Sequence, residues 1–108
     1  GGGGGGGGTS GGIGVGAGGS GGGTAGGSSA DATNAAANTG SGGGGGGVNS
    51  GDTIGYAAGN GGSGIVIIRY PDSYPDLSTI GGGLTYAKTT ITGFKVYTFT
   101  AGTGSVTV

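Results

Sequence analysis

Uninterrupted glycine is the feature that most restricts this chain. Residues 1–8 are glycine throughout, and further runs occupy 42–47 and most of 59–64. Glycine has no side chain to bury and loses more conformational freedom on folding than any other residue. A segment built this way is ordered by its backbone or not at all. Residues 1–64 hold 32 glycines and one aromatic, Tyr56. The other six aromatics, Tyr70, Tyr74, Tyr86, Phe94, Tyr97 and Phe99, all lie in 65–108. Only that second segment can form a side-chain core, and a core of its size supplies about 3–5 kcal/mol. The chain is therefore read as a glycine-rich region, 1–64, followed by a β region, 65–108.

Two conformations compete for the glycine-rich region. Gly/Ser-rich chains commonly behave as flexible linkers. The alternative is polyglycine II, the extended threefold helix of polyproline II. Such a helix has no internal hydrogen bonds, so its N–H and C=O groups point outward. Glycine lets neighbouring helices approach closely enough to bond laterally, each bond contributing about 0.5–1.5 kcal/mol. Three features favour the lattice. The runs recur, Lys and Glu are missing from 1–64, and the last run passes without a break into an apolar strand. Collagen requires a strict Gly-X-Y period and abundant proline, and residues 1–64 have neither. Two decorated segments interrupt the runs, SSADATNAAANT at 28–39 and VNSGDTIGY at 48–56.

The β region opens with IVIIRY at 65–70. Alternation puts Ile65 and Ile67 on one face and Val66, Ile68 and Tyr70 on the other. Both faces are apolar, which predicts a strand covered on two sides. Pro71 and Pro75 end it and bracket a turn, since proline donates no ladder bond. Residues 84–91 read as a strand, Thr92-Gly93 as a turn, and 94–100 as the clearest alternating strand. There Phe94, Val96 and Thr98 share one face, and Lys95, Tyr97 and Phe99 the other. Residues 101–104 read as a hairpin loop leading to a last strand with Val106 and Val108 on one face. The expected fold is all-β and irregular: packed polyglycine II helices, then a small antiparallel β-meander, with essentially no α-helix.

Side-chain chemistry is sparse. The seven charged residues are Asp31, Asp52, Arg69, Asp72, Asp76, Lys88 and Lys95, and the net charge is −1. That balance argues against nucleic acid and anionic membranes, which attract clustered Lys and Arg. No apolar run approaches the roughly 18 residues of a membrane span. Without His, Cys or Glu, neither a Ser–His triad nor a histidine or thiolate metal site can be assembled. Asp72 and Asp76 offer two carboxylates in a turn, short of the six to eight oxygens a hard cation takes. The G-x-G-x-x-G match at residues 14–19 is what chance produces in glycine-rich sequence, and no strand precedes it. GGLTYAKT at 82–89 has Ala87 where a phosphate loop needs glycine. No N-x-[ST] sequon occurs. The chain is expected to be no enzyme, with no catalytic residue, no cofactor and no metal.

GNGGSGIVIIRYP at 59–71 and GFKVYTFT at 93–100 resemble the glycine-rich domain of tail fibres and receptor-binding proteins of tailed bacteriophages. In that family glycine tracts run into a G-x-G-[IV]-V-I-[IV]-R-Y strand followed by proline. A G-[YF]-[KR]-[VI]-Y-x-F-T segment lies near its end. The resemblance spans nearly the whole chain, although this sequence opens inside a glycine tract and is expected to be a piece of something longer. It implies packed polyglycine II helices displaying loops to a host surface. The expected location is the virion tail fibre, outside the cell, as a structural and adhesive component. Expected partners are a host cell-surface receptor, protein or glycan, and other fibre subunits. Self-association is expected, with three copies the number usual in phage fibres, and no insertion into a membrane. The two decorated segments make Asp31, Asn34, Asn38, Asn49, Asp52 and Tyr56 the candidate receptor contacts. A purely structural fibre spacer, or a non-viral extracellular matrix or ice-binding protein, are the alternatives.

Overall fold

The computed structural model describes residues 1–8, 14–49, 51 and 53–108, and divides the chain into two compact units, Gly1–Gly64 and Ile65–Val108. No α-helix occurs among the described residues, and every multi-residue strand lies in the second unit.

Among its described residues the first unit contains six runs, at 1–8, 14–19, 23–27, 31–36, 41–47 and 56–63, joined laterally through the backbone. The bonds recur at every third residue. Gly42, Gly45 and Val48 donate to Gly2, Gly5 and Gly8 at 2.6, 2.7 and 3.2 Å, so the first and fifth runs are parallel. Gly5 and Gly8 donate in turn to Thr24 and Gly27, and Thr24 and Gly27 donate to Gly42 and Gly45. Tyr56, Gly59 and Gly62 donate to Gly47, Gly44 and Ser41, each at 2.8 Å, which sets the sixth run antiparallel to the fifth. Gly16 and Gly19 donate to Gly6 and Gly3, opposing the second run to the first. Successive runs thus alternate in direction.

The fifth run lies inside this arrangement and bonds to the first, third, fourth and sixth. Its residues Ser41, Gly44 and Gly47 are buried while those between are half-buried. Its glycines meet three neighbours in turn: Gly42 and Gly45 the first run, Gly43 and Gly46 the sixth, Gly44 and Gly47 the third. A Cβ on Gly44 would collide with Ala25 O, one on Gly43 with Gly59 O, and one on Gly46 with Tyr56 O. By contrast, a Cβ on Gly3 or Gly6 of the first run meets nothing within 4 Å among the described residues. Ser41 is the buried exception, and its hydroxyl is satisfied: it donates to Gly21 O at 3.1 Å and accepts from Gly2 N–H at 3.4 Å.

The second unit has five strands: β1 (Val66–Pro71), β2 (Thr79–Ile80), β3 (Leu84–Ile91), β4 (Phe94–Gly102) and β5 (Val106–Thr107). β4 is central in an antiparallel sheet ordered β1-β4-β3. The β3–β4 turn is Thr92-Gly93, and glycine suits the φ of +79° there. The core lies on one face. Tyr97 and Phe99 of β4 and Leu77 of the β1–β2 connection are buried, with Ile68, Tyr70, Ile80, Leu84 and Val106 packed on them.

Three expectations are corrected here. β1 is not covered on both sides. It forms the edge of the sheet, with Val66 and Ile67 about 60% exposed, at 60% and 59%. Val66 shares the core face with Ile68 and Tyr70 and Ile67 lies on the opposite face, and at this edge both are exposed. Residues 101–104 do not close a hairpin between β4 and β5. At Gly102 the chain takes φ +99° and leaves the sheet, and β5 pairs with β2 through Thr79↔Thr107 and Ile80↔Val106. Finally, much of the 28–39 segment is no loop, because residues 31–36 form a run of the first unit.

Candidate functional site

The candidate contacts fall in two places. Asp31, Asn34 and Asn38 lie along the fourth run and the turn that ends it. Ala32 and Ala35 N–H donate to Ala57 O and Asn60 O of the sixth run, both at 2.9 Å. The side chains reciprocate. Asp31 Oδ1 accepts from Ala57 N–H at 2.8 Å and Asn34 Oδ1 from Asn60 N–H at 2.7 Å. One turn later Asn38 Oδ1 accepts from the Ser63 hydroxyl at 3.1 Å, while Ser63 Oγ accepts Asn38 N–H at 2.9 Å. Asn38 has φ +59°, a region asparagine enters more readily than most residues. These carbonyl and carboxylate oxygens do the work of backbone acceptors. The signal was present in the sequence as polar acceptors three apart, Asp31 and Asn34, within an alanine-rich stretch.

Asn49 and Tyr56 belong to the link between the fifth and sixth runs. Asn49 Oδ1 accepts from Thr53 N–H at 2.8 Å and Ile54 N–H at 2.9 Å, and Nδ2 donates to Thr53 Oγ1 at 2.9 Å. Together with the Val48–Gly55 bridge, this closes the loop on itself. Ile54, whose carbonyl accepts from Asn49 N–H at the closure of the link, is exposed, and Tyr56 is half-buried. Asp52 lies outside the described residues.

The second unit contains a cluster the sequence reading did not single out. Asp76 bridges two lysines, Lys88 Nζ at 2.6 Å and Lys95 Nζ at 2.9 Å. Lys95 Nζ also donates to Tyr74 O at 2.6 Å. Lys88 first, with Lys95, holds the Asp76 carboxyl at about 2, and Asp76 in turn raises Lys88. Under them Tyr97 stacks between Tyr70 and Tyr86, at centroid distances of 6.0 and 6.2 Å. Burial, with the Tyr97 phenol beside it, pushes the Tyr70 hydroxyl up to about 12. Its oxygen has no hydrogen-bond partner among the described residues. The pairing with two lysines engages Asp76 away from any cation that Asp72 and Asp76 could share. Among the described residues no three of His, Cys, Asp and Glu come together, and no helix is long and apolar enough to cross a membrane.

The other face of the same sheet is open. Ile65 and Ile67 of the β1 side and Ile91 of β3 are exposed on it, around a buried Val96. The Arg69 guanidinium lies 3.7 Å from the centroid of Phe94. Comparison of the chain with protein-family models, curated proteins and solved structures gives no match.

Proposed function

We propose that this chain is a structural component of a bacteriophage tail fibre or its tip, in which a polyglycine II lattice displays loops for attachment to the host surface. The observation that carries the reading is the three-residue period of lateral backbone bonds across six runs. That is the period of the threefold extended helix, and it gives stiffness without a side-chain core. Within this reading the partners are a host-surface protein or glycan and other fibre subunits. The link at 48–56 is the attachment element, with Ile54 and Tyr56 its apolar contacts. Antibody raised against the chain is expected to label fibre tips of the particle in electron micrographs and to block adsorption to its host. Particles that carry no label would sink the reading.

A specific observation favours a second reading, a fibre spacer without receptor contact. Asp31, Asn34 and Asn38 spend their acceptors inside the lattice. Asn34→Ala is expected to lower unfolding stability by about 1 kcal/mol, the contribution of one hydrogen bond, and to leave adsorption of particles carrying it unchanged. If adsorption falls while the denaturation midpoint holds, Asn34 is a contact after all. A spacer predicts in addition that substitutions at Ile54 and Tyr56 leave adsorption intact.

A further inference from the structure

β1 is an edge strand with Val66 and Ile67 exposed, and its hydrogen-bonding groups can be assigned. Asp72 N–H donates to Gly93 O at 3.1 Å, continuing the β1–β4 register in which Pro71 faces Phe94 and Val66 faces Phe99. In an antiparallel ladder, residues that bond to a given neighbour alternate. With Asp72 bonded toward β4, so are Tyr70, Ile68 and Val66. The N–H and C=O groups of Ile65, Ile67 and Arg69 therefore point to the free edge, and among the described residues no strand pairs there. Pro71, next in that series, has no N–H to offer.

We infer that this edge pairs with the same edge of a second copy, antiparallel about a two-fold axis at Ile67. A two-fold axis perpendicular to the sheet keeps each face on its own side, so residues of equal parity must meet; registers displaced toward Ile65 leave Arg69 opposite residue 63 or 61, outside β1, and three others remain. Pairing Ile67 with Ile67 sets Ile65 opposite Arg69 on both sides of the axis, and all three free residues of each chain exchange both bonds. Setting Ile67 opposite Arg69 brings Ile65 opposite Pro71, which loses a bond at each end. Centring on Arg69 puts two guanidinium groups directly opposite, which is destabilising. The Ile67 register alone satisfies every free group and keeps like charges apart. It also sets the exposed Val66 beside the partner's half-buried Ile68 on the other face, covering Val66 of each copy. Of the features that blunt sheet edges, charge and proline, Arg69 falls opposite Ile65 in this register and Pro71 lies beyond its last bonded pair, and no bulge interrupts the β1–β4 register. The product is one continuous six-stranded sheet. Such an isologous contact closes at two copies, where the fibre resemblance led to an expectation of three. The inference stands on the sheet edge alone and holds whether or not the chain belongs to a fibre.

Sedimentation velocity on the full chain tests it with a charge swap. Wild-type chain is expected to sediment as a dimer at micromolar concentration. Ile67→Lys and Ile67→Glu each place like charges together at the axis and are expected to raise the dissociation constant about tenfold or more. A mixture of the two is expected to recover a one-to-one dimer, because residue 67 meets residue 67. Ile67 is exposed, so far-ultraviolet circular dichroism of each variant should match the wild type. Wild-type chain that stays monomeric, a dimer indifferent to both substitutions, or a mixture that gains nothing over its components would each overturn the proposal. Loss of tip labelling would not touch it.

Discussion

At the residue scale, Asp76 shows how charge is used in a chain with so little of it. Its carboxyl is held at about 2, below its ordinary 3.8, by Lys88 and Lys95. A group whose folded pKa is depressed stabilises the fold above its unfolded pKa and loses that contribution as pH falls through the folded value. The pairing is thus complete above about pH 4 and fades toward pH 2. Asp76→Asn is expected to melt below the wild type at neutral pH, and its melting temperature should fall less steeply between pH 4 and pH 2. Parallel curves across that window would show that the ion pairs add nothing. Carboxylate, lysines and tyrosines were all visible in the sequence, but their convergence was not, since Asp76 meets residues 12 and 19 positions later across a turn. Asp31 and Asn34 were visible too, as candidate receptor contacts. Their period of three matches the lattice bonds, and that match acquires meaning only once a parallel neighbour supplies N–H groups at the same spacing.

At the scale of elements, glycines that look identical in the sequence divide into those with a neighbour against each face and those without. Gly44→Ala drives a methyl into Ala25 O, and overpacking of this kind costs about 1–3 kcal/mol. Gly6→Ala meets no described residue within 4 Å, and where the backbone accommodates it such a change stabilises by about 0.4–1 kcal/mol through the unfolded chain. Urea titrations of the two variants should move in opposite directions; equal shifts would sink the assignment of inner and outer faces. The β strands were the most legible elements. The alternation over 94–100 fixes which side chains share a face, and β4 buries Tyr97 and Phe99 on the side opposite Val96. Strand order was not legible, because two apolar faces on IVIIRY describe the strand and say nothing about how many layers surround it. The partner of β5 was hidden for a related reason, since the glycine at 102 can continue a hairpin or turn the chain away from one.

At the scale of the whole molecule, two units are stabilised by different physics. The first relies on backbone bonds between runs, the second on a cluster centred on Leu77, Tyr97 and Phe99. Leu77→Ala is expected to cost about 2–5 kcal/mol, comparable with the entire stability such a small core provides. Hydrogen exchange should then lose protection across Ile65–Val108 while amides of Gly1–Gly64 keep theirs. Equal loss in both units would show that they unfold as one.

A lattice of glycine has no inherent place marks. Sliding one run past its neighbour by three residues restores the same bonds between the same kinds of group, so a pure glycine bundle has many states of nearly equal energy. The few decorations act as vernier marks that select one of them. Ser41 fits only where Gly21 O and Gly2 N–H meet it, and Asp31 and Asn34 engage only opposite Ala57 and Asn60. Removing these keys together would leave chains that still associate laterally, with their ends out of alignment from one molecule to the next.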